Sequence, residues 1–162
     1  MKTPRFLLIG LVILVLINIG IYRKERLLAE GAPLLLKLAP LDPRSLMQGD
    51  YMALRYQLEE DLEKQGQKPI PADGRLLLNL DRNRVGSLAG LYEGQTLQEN
   101  QLPIRYRMRN GRLHIAGNSY FFEEGTASRY QQARYGEFRV AENGDAILVA
   151  LRDEKLKALG KE

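Results

Sequence analysis

The stretch Pro103-Ile104-Arg105-Tyr106-Arg107-Met108-Arg109-Asn110-Gly111-Arg112-Leu113-His114-Ile115-Ala116 sets the fold class. Apolar and charged side chains alternate on either side of an Asn-Gly pair, and Asn-Gly between alternating segments is the strongest short-range signal for a β-hairpin. Outward from it the same grammar recurs. Phe138–Ala141 and Ala146–Leu151 flank Glu142-Asn143-Gly144-Asp145, a second hairpin. Arg75–Leu80 and Val85–Tyr92 flank Asp81-Arg82-Asn83. Leu34–Leu38 and Asp50–Leu58 read as two further strands, the latter placing Met52, Leu54, Tyr56 and Leu58 on one face and Tyr51, Ala53, Arg55 and Gln57 on the other.

Helical signals are few. Glu59–Lys64 is a charged helical insert ending at Gly66. Thr126–Tyr135 follows Gly125 with Thr126 or Ser128 as N-cap, and Asp153–Leu159 reads as a short closing helix. Pro40-Leu41-Asp42-Pro43-Arg44 and Pro69-Ile70-Pro71 exclude helix interior and central strand. The expected fold is mainly β (α+β): an N-terminal transmembrane helix, then a compact antiparallel β-barrel or sandwich with one or two short helices.

Charge divides the chain in two. The formal charge is +4, with 24 basic and 20 acidic residues. Residues 1–26 hold Lys2, Arg5, Arg23, Lys24 and Arg26 against Glu25, which leaves 19 of each sign in residues 27–162. With no net field on the larger part, a nucleic-acid partner is not expected. The chain has no Cys and one His. Thiolate chemistry, zinc ribbons and multi-histidine metal centres are therefore excluded, and no cofactor is expected.

Residues Phe6–Tyr22 read FLLIGLVILVLINIGIY, with Asn18 the one strongly polar side chain. Leu, Ile and Val surround the helix and cations bracket it, which predicts a bilayer anchor. A cleavable signal peptide fits less well, because IYRKER follows the run and no small-x-small site adjoins it. A short N-terminus favours N-in insertion. The domains expected are thus 1–26, a cytoplasmic stub, anchor and basic flank, and 27–162, an extracytoplasmic β-rich domain.

The densest pattern is Asp42-Pro43-Arg44 followed by Gly49-Asp50-Tyr51 and then Leu54 and Tyr56. Asp42 before Pro43 suits a turn, Gly49 gives backbone freedom, and Arg44 presents a fork that suits a carboxylate such as Asp50. The alternative is a binding surface on the same loop. These residues resemble the naming motif of the GDYxxLxY family of bacterial membrane-anchored proteins, matched by Gly49, Asp50, Tyr51, Leu54 and Tyr56. Gly117-Asn118-Ser119-Tyr120-Phe121-Phe122-Glu123-Glu124-Gly125 is similar to a later segment of that family, with Glu123 where Pro is common. The resemblance implies a membrane-tethered β-rich domain beside multi-pass membrane proteins, and no established reaction.

Enzymatic readings find little support in the residues. A serine–lysine hydrolase at Ser45 needs a buried Lys, yet none occurs between Lys68 and Lys155. Asp42, Asp50, Glu123 and Glu124 read as loop acids, and Arg105, Arg107, Arg109 and Arg112 as a solvated strand face paired with acids, the alternative being an anionic-lipid patch. The expectation is a non-enzymatic accessory or assembly protein, single-pass in the bacterial inner membrane with a periplasmic bulk, partnering the bilayer through Phe6–Tyr22 and an integral membrane protein. The alternative is an envelope ligand binder or hydrolase using Asp42, Arg44, Asp50 and Tyr51. The candidate surface comprises Asp42, Pro43, Arg44, Gly49, Asp50, Tyr51, Leu54, Tyr56, Phe122, Glu124 and Gly125, with no catalytic or metal residue.

Overall fold

A computed structural model describes residues 3–39, 51–66 and 70–160, with side chains described from residue 8 onward in the first of these. Helix α1 (Thr3–Glu30) leads directly into strand β1 (Ala32–Lys37). There follow β2 (Tyr51–Ala53), α2 (Gln57–Lys64), β3 (Asp73–Leu80), β4 (Gly86–Leu91), β5 (Gln101–Arg109), β6 (Arg112–His114) and β7 (Ser119–Phe121). A 3-10 turn (Ala127–Tyr130), β8 (Tyr135–Val140) and β9 (Ala146–Arg152) complete the order. The molecule is mainly β, with curled antiparallel sheets and two short helical pieces after α1.

The sheets are β1-β8-β9, β2-β7 and β4-β3-β5-β6. They curl onto each other at two seams. At one, the Leu35 amide donates to the Arg84 carbonyl at 2.9 Å, beside a parallel bridge from Leu35 to Val85. At the other, the Arg105 amide donates to the Gly144 carbonyl at 2.8 Å. Gly144 has φ +87°, and a Cβ there would lie 3.2 Å from the Arg105 nitrogen, so both turn and seam require glycine. Because the sheets wrap a shared interior, Leu34-Leu35-Leu36 and Leu76-Leu77-Leu78 are buried as continuous runs, where a sheet with one wet face would alternate.

Both predicted hairpins form. Asn110 (φ 52°) and Gly111 (φ 72°) both take left-handed values, the type I′ geometry that suits twisted strands. Asp81 Oδ1 accepts the amides of Asn83 and Val85 at 2.8 Å each, holding the β3–β4 turn.

Three expectations are corrected. The strand read over Asp50–Leu58 stops at Ala53, and α2 begins at Gln57; Met52, Leu54, Tyr56 and Leu58 are nonetheless all buried. The helix read over Thr126–Tyr135 is one 3-10 turn, because Thr126 Oγ1 donates to the Glu123 carbonyl (2.6 Å) and caps nothing. Asp153–Leu159 is a turn, not a helix: Asp153 Oδ1 accepts the Lys157 amide, Leu156 is left-handed, and Arg152 bridges to Ala158.

The anchor expected over Phe6–Tyr22 begins outside the residues whose side chains are described. Among the described residues, no helix is long and apolar enough to cross a membrane. From Leu8, where described side chains begin, the apolar stretch to Tyr22 measures about 22 Å along a helix. That falls short of a hydrocarbon core of roughly 30 Å before Arg23-Lys24-Glu25-Arg26 closes it.

Candidate functional site

The two motif segments of the sequence, far apart in the chain, meet in one ribbon. β2 pairs antiparallel with β7 in the register Tyr51↔Phe121, Met52↔Tyr120 and Ala53↔Ser119. Alternation then sorts the side chains. Met52 is buried in the core, whereas Tyr51 is half-buried and Phe121 is 75% exposed. The Tyr51 and Phe121 rings lie 5.8 Å apart at 42°.

Beneath the ribbon the motif residues anchor it. Leu54 is buried, and its amide donates to the Asn118 carbonyl at 2.7 Å. Tyr56 is 1% exposed; its hydroxyl donates to the Gly117 carbonyl at 2.8 Å and its ring meets Phe138 edge-on at 5.6 Å. Burial pushes the Tyr56 phenol well above its usual range, because its anion has no water to solvate it. The Asn118 side chain accepts the Ile115 amide and donates to the Leu113 carbonyl, tying the ribbon to β6.

The second segment extends this aromatic seam. Tyr120 and Phe122 each lie 5.2 Å from the Tyr130 ring, and Phe122 is stacked on it. Burial, then the neighbouring Tyr130, raises the Tyr120 phenol. Glu124 and Gly125 are exposed, with Gly125 at φ +79° in the turn after Glu123.

Of the residues singled out in the sequence, Tyr51, Leu54, Tyr56, Phe122, Glu124 and Gly125 fall on this ribbon and the turn after it. Asp42, Pro43, Arg44, Gly49 and Asp50 lie outside the described residues, as does Ser45. Asn118, Phe121 and Tyr130 carry the site as well and were not singled out by role. Their signal was the aromatic run Tyr120-Phe121-Phe122, which predicts burial on alternate residues once β7 is recognised as a strand.

Chemically, the described part of this surface offers aromatic and apolar contact. A cleft of about 580 Å³ behind the ribbon is lined by Met52, Leu54 and Arg55 with Gln131, Arg134 and Glu154. Among the described residues, no three His, Cys, Asp or Glu side chains converge as metal ligands.

A long N-terminal helix, curled antiparallel sheets and a ribbon built on Tyr51–Ala53 define the class: a small, mainly β protein that follows an N-terminal helix. Within that class the chain belongs to the GDYXXLXY protein family, whose sequence profile matches residues 13–151. No curated protein and no solved structure matches the chain.

Proposed function

We propose that the protein is a membrane-anchored accessory or assembly subunit that docks a larger membrane protein through the β2–β7 ribbon. The observation that carries this reading is Phe121, three-quarters exposed and backed by Tyr51, the motif tyrosine on β2. Outside α1, Leu97 is the other exposed large hydrophobic residue among those described. An exposed aromatic pair over a rigid, hydrogen-bonded base has the form of an interface hot spot.

The anchor in this proposal is α1 together with the residues that precede Leu8. From residue 8 to residue 22 its Leu, Ile and Val side chains are exposed on every side, and the β domain covers none of the large ones. An all-round apolar helix calls for an apolar surrounding, and lipid supplies one. With α1 inserted N-in, the β domain stands on the outer side of a bacterial inner membrane.

The test is site-specific photocrosslinking from position 121 in the full chain, expressed in its native membrane, followed by purification in detergent. A discrete heavier adduct containing a multi-pass protein is expected from position 121 and not from exposed Arg82. Recovery of the chain alone after crosslinking would contradict the accessory role.

A further inference from the structure

The outer face of the β3–β5–β6 sheet is rich in arginine, and the C-terminal part of α1 lines a cleft with it. Register places Arg105 opposite Arg75, Arg107 between His114 on β6 and Asp73 on β3, and Arg109 opposite Arg112, all on one face. The C-terminal part of α1 presents Gly20, Arg23, Lys24 and Leu27 to this face at the three- and four-residue spacing of one helical side. Helix and sheet together enclose a cleft of about 740 Å³.

Five permanent cations line the cleft (Arg23, Lys24, Arg105, Arg107 and Arg109), with Asp145 as the carboxylate. That carboxylate is already engaged by Arg105 at 2.8 Å. Of the strand face expected to pair with acids, Arg105 does so, whereas among the described residues Arg107, Arg109 and Arg112 form no ion pair. A concave site with surplus guanidinium groups and low-dielectric walls concentrates anions, and guanidinium forks match phosphate oxygens.

The position of the cleft narrows the ligand. Arg23 and Lys24 directly follow the apolar run of α1, so the cleft lies at the level where that run ends. Gly20 opens its helical side, since nothing lies within 4 Å of where its Cβ would stand. A ligand with a phosphate for the arginines and a chain to lie along α1 satisfies both halves.

We infer that this cleft binds the phosphate headgroup of an anionic lipid, a phosphatidylglycerol-type diester, drawn from the bilayer that α1 enters; the inference rests on the membrane-anchored reading above. The lipid would fix the β domain against the membrane surface and set the tilt of the β2–β7 ribbon toward a partner.

The test uses the full chain. Flotation with phosphatidylcholine vesicles comes first, then native mass spectrometry from detergent with phosphatidylglycerol or phosphatidylcholine at matched concentration. Retention of phosphatidylglycerol is expected to exceed that of phosphatidylcholine by at least about tenfold, and added salt should reduce the preference. Arg107→Gln with Arg109→Gln should remove the preference, while Arg82→Gln with Lys155→Gln, exposed elsewhere, should leave it intact. Equal retention of both lipids, or a preference indifferent to Arg107 and Arg109, overturns the lipid site while leaving the anchor standing. Displacement of the lipid by millimolar inorganic phosphate, with no dependence on acyl chains, reassigns the cleft to free phosphate and overturns the lipid source. Failure to float with neutral vesicles overturns the anchor and this inference together.

Discussion

Leucine behaves oppositely in the two regions of this molecule. Leu16 on α1 is 62% exposed, while Leu34, Leu36, Leu76 and Leu78 in the β domain are 0% exposed. The residue type is the same, so the difference lies in geometry. In the strands, apolar side chains meet a shared interior that the curled sheets close around. On α1 they point outward through the full turn of a helix, and no single packing partner covers all sides. Each exposed Leu or Ile forgoes about 1.5–3 kcal/mol of burial. In the proposed anchor, lipid supplies the apolar medium that the second region lacks.

The contrast can be broken at its strongest point first. Tyr56→Ala removes a ring packed on Phe138 and a hydroxyl bonded to Gly117, and should cost about 3–5 kcal/mol in denaturant unfolding of the full chain. A loss under about 1 kcal/mol would mean the ribbon is not part of the cooperative core. Asp81→Ala releases two turn amides and should cost about 1–2 kcal/mol. Tyr56→Phe keeps the ring and loses the hydrogen bond, at about 0.5–1.5 kcal/mol.

The same Tyr56 phenol makes the core sensitive to alkali. Burial raises its folded pKa, as it does for Tyr106 and Tyr120, so the fold favours the neutral phenols. Stability is then fully present below the ordinary tyrosine pKa of about 10 and declines as pH rises above it. Unfolding midpoints should fall between about pH 9 and pH 11, and less steeply in Tyr56→Phe than in the parent. Identical slopes would contradict the burial of that hydroxyl.

The smallest effects belong to the exposed side of the comparison. Tyr51→Ala, half-buried against an exposed Phe121, should cost less than about 1 kcal/mol, although it removes a ring of the same kind as Tyr56. Equal melting losses for Tyr51→Ala and Tyr56→Ala would mean that both faces of β2 are buried, and the docking role of the ribbon should then be dropped. Leu16→Ala should change domain stability by no more than about 0.5 kcal/mol.

Much of the β architecture was legible because turn chemistry is local. Asn110-Gly111 and Asp81 fix their turns with their own backbone or side chain, and each turn determines the register of the strands beside it. What the sequence obscured were places where two periods coincide or a tertiary bond competes. Leu54, Leu58 and Leu62 fall four apart, so the tail of an alternating strand and the start of a helix place the same residues inside. The helical reading of 126–135 failed because residues 134 and 135 belong to the β8 neighbourhood: the Leu38 amide donates to the Arg134 carbonyl, and the Arg134 amide to the Arg152 carbonyl. β7 is only three residues long and gains its pairing from β2 alone, a long-range partner invisible to local pattern.

As for the candidate site, the sequence identified the motif on which the ribbon is built. It could not show that Tyr51 and Phe121, seventy residues apart in the chain, stand side by side.

In the proposed arrangement, α1 lies in lipid while the β domain stands in water. The chain contains no Cys, so a single introduced Cys carries a spin label without background. Full chains labelled at Leu16→Cys or Leu97→Cys, both exposed in the structure, would be reconstituted into phosphatidylcholine vesicles. The accessibility of each label to oxygen and to a water-soluble nickel chelate would then be measured by electron paramagnetic resonance. The label at 16 should be reached by oxygen and shielded from nickel, and the label at 97 should show the reverse. Comparable nickel accessibility at the two positions would contradict the account.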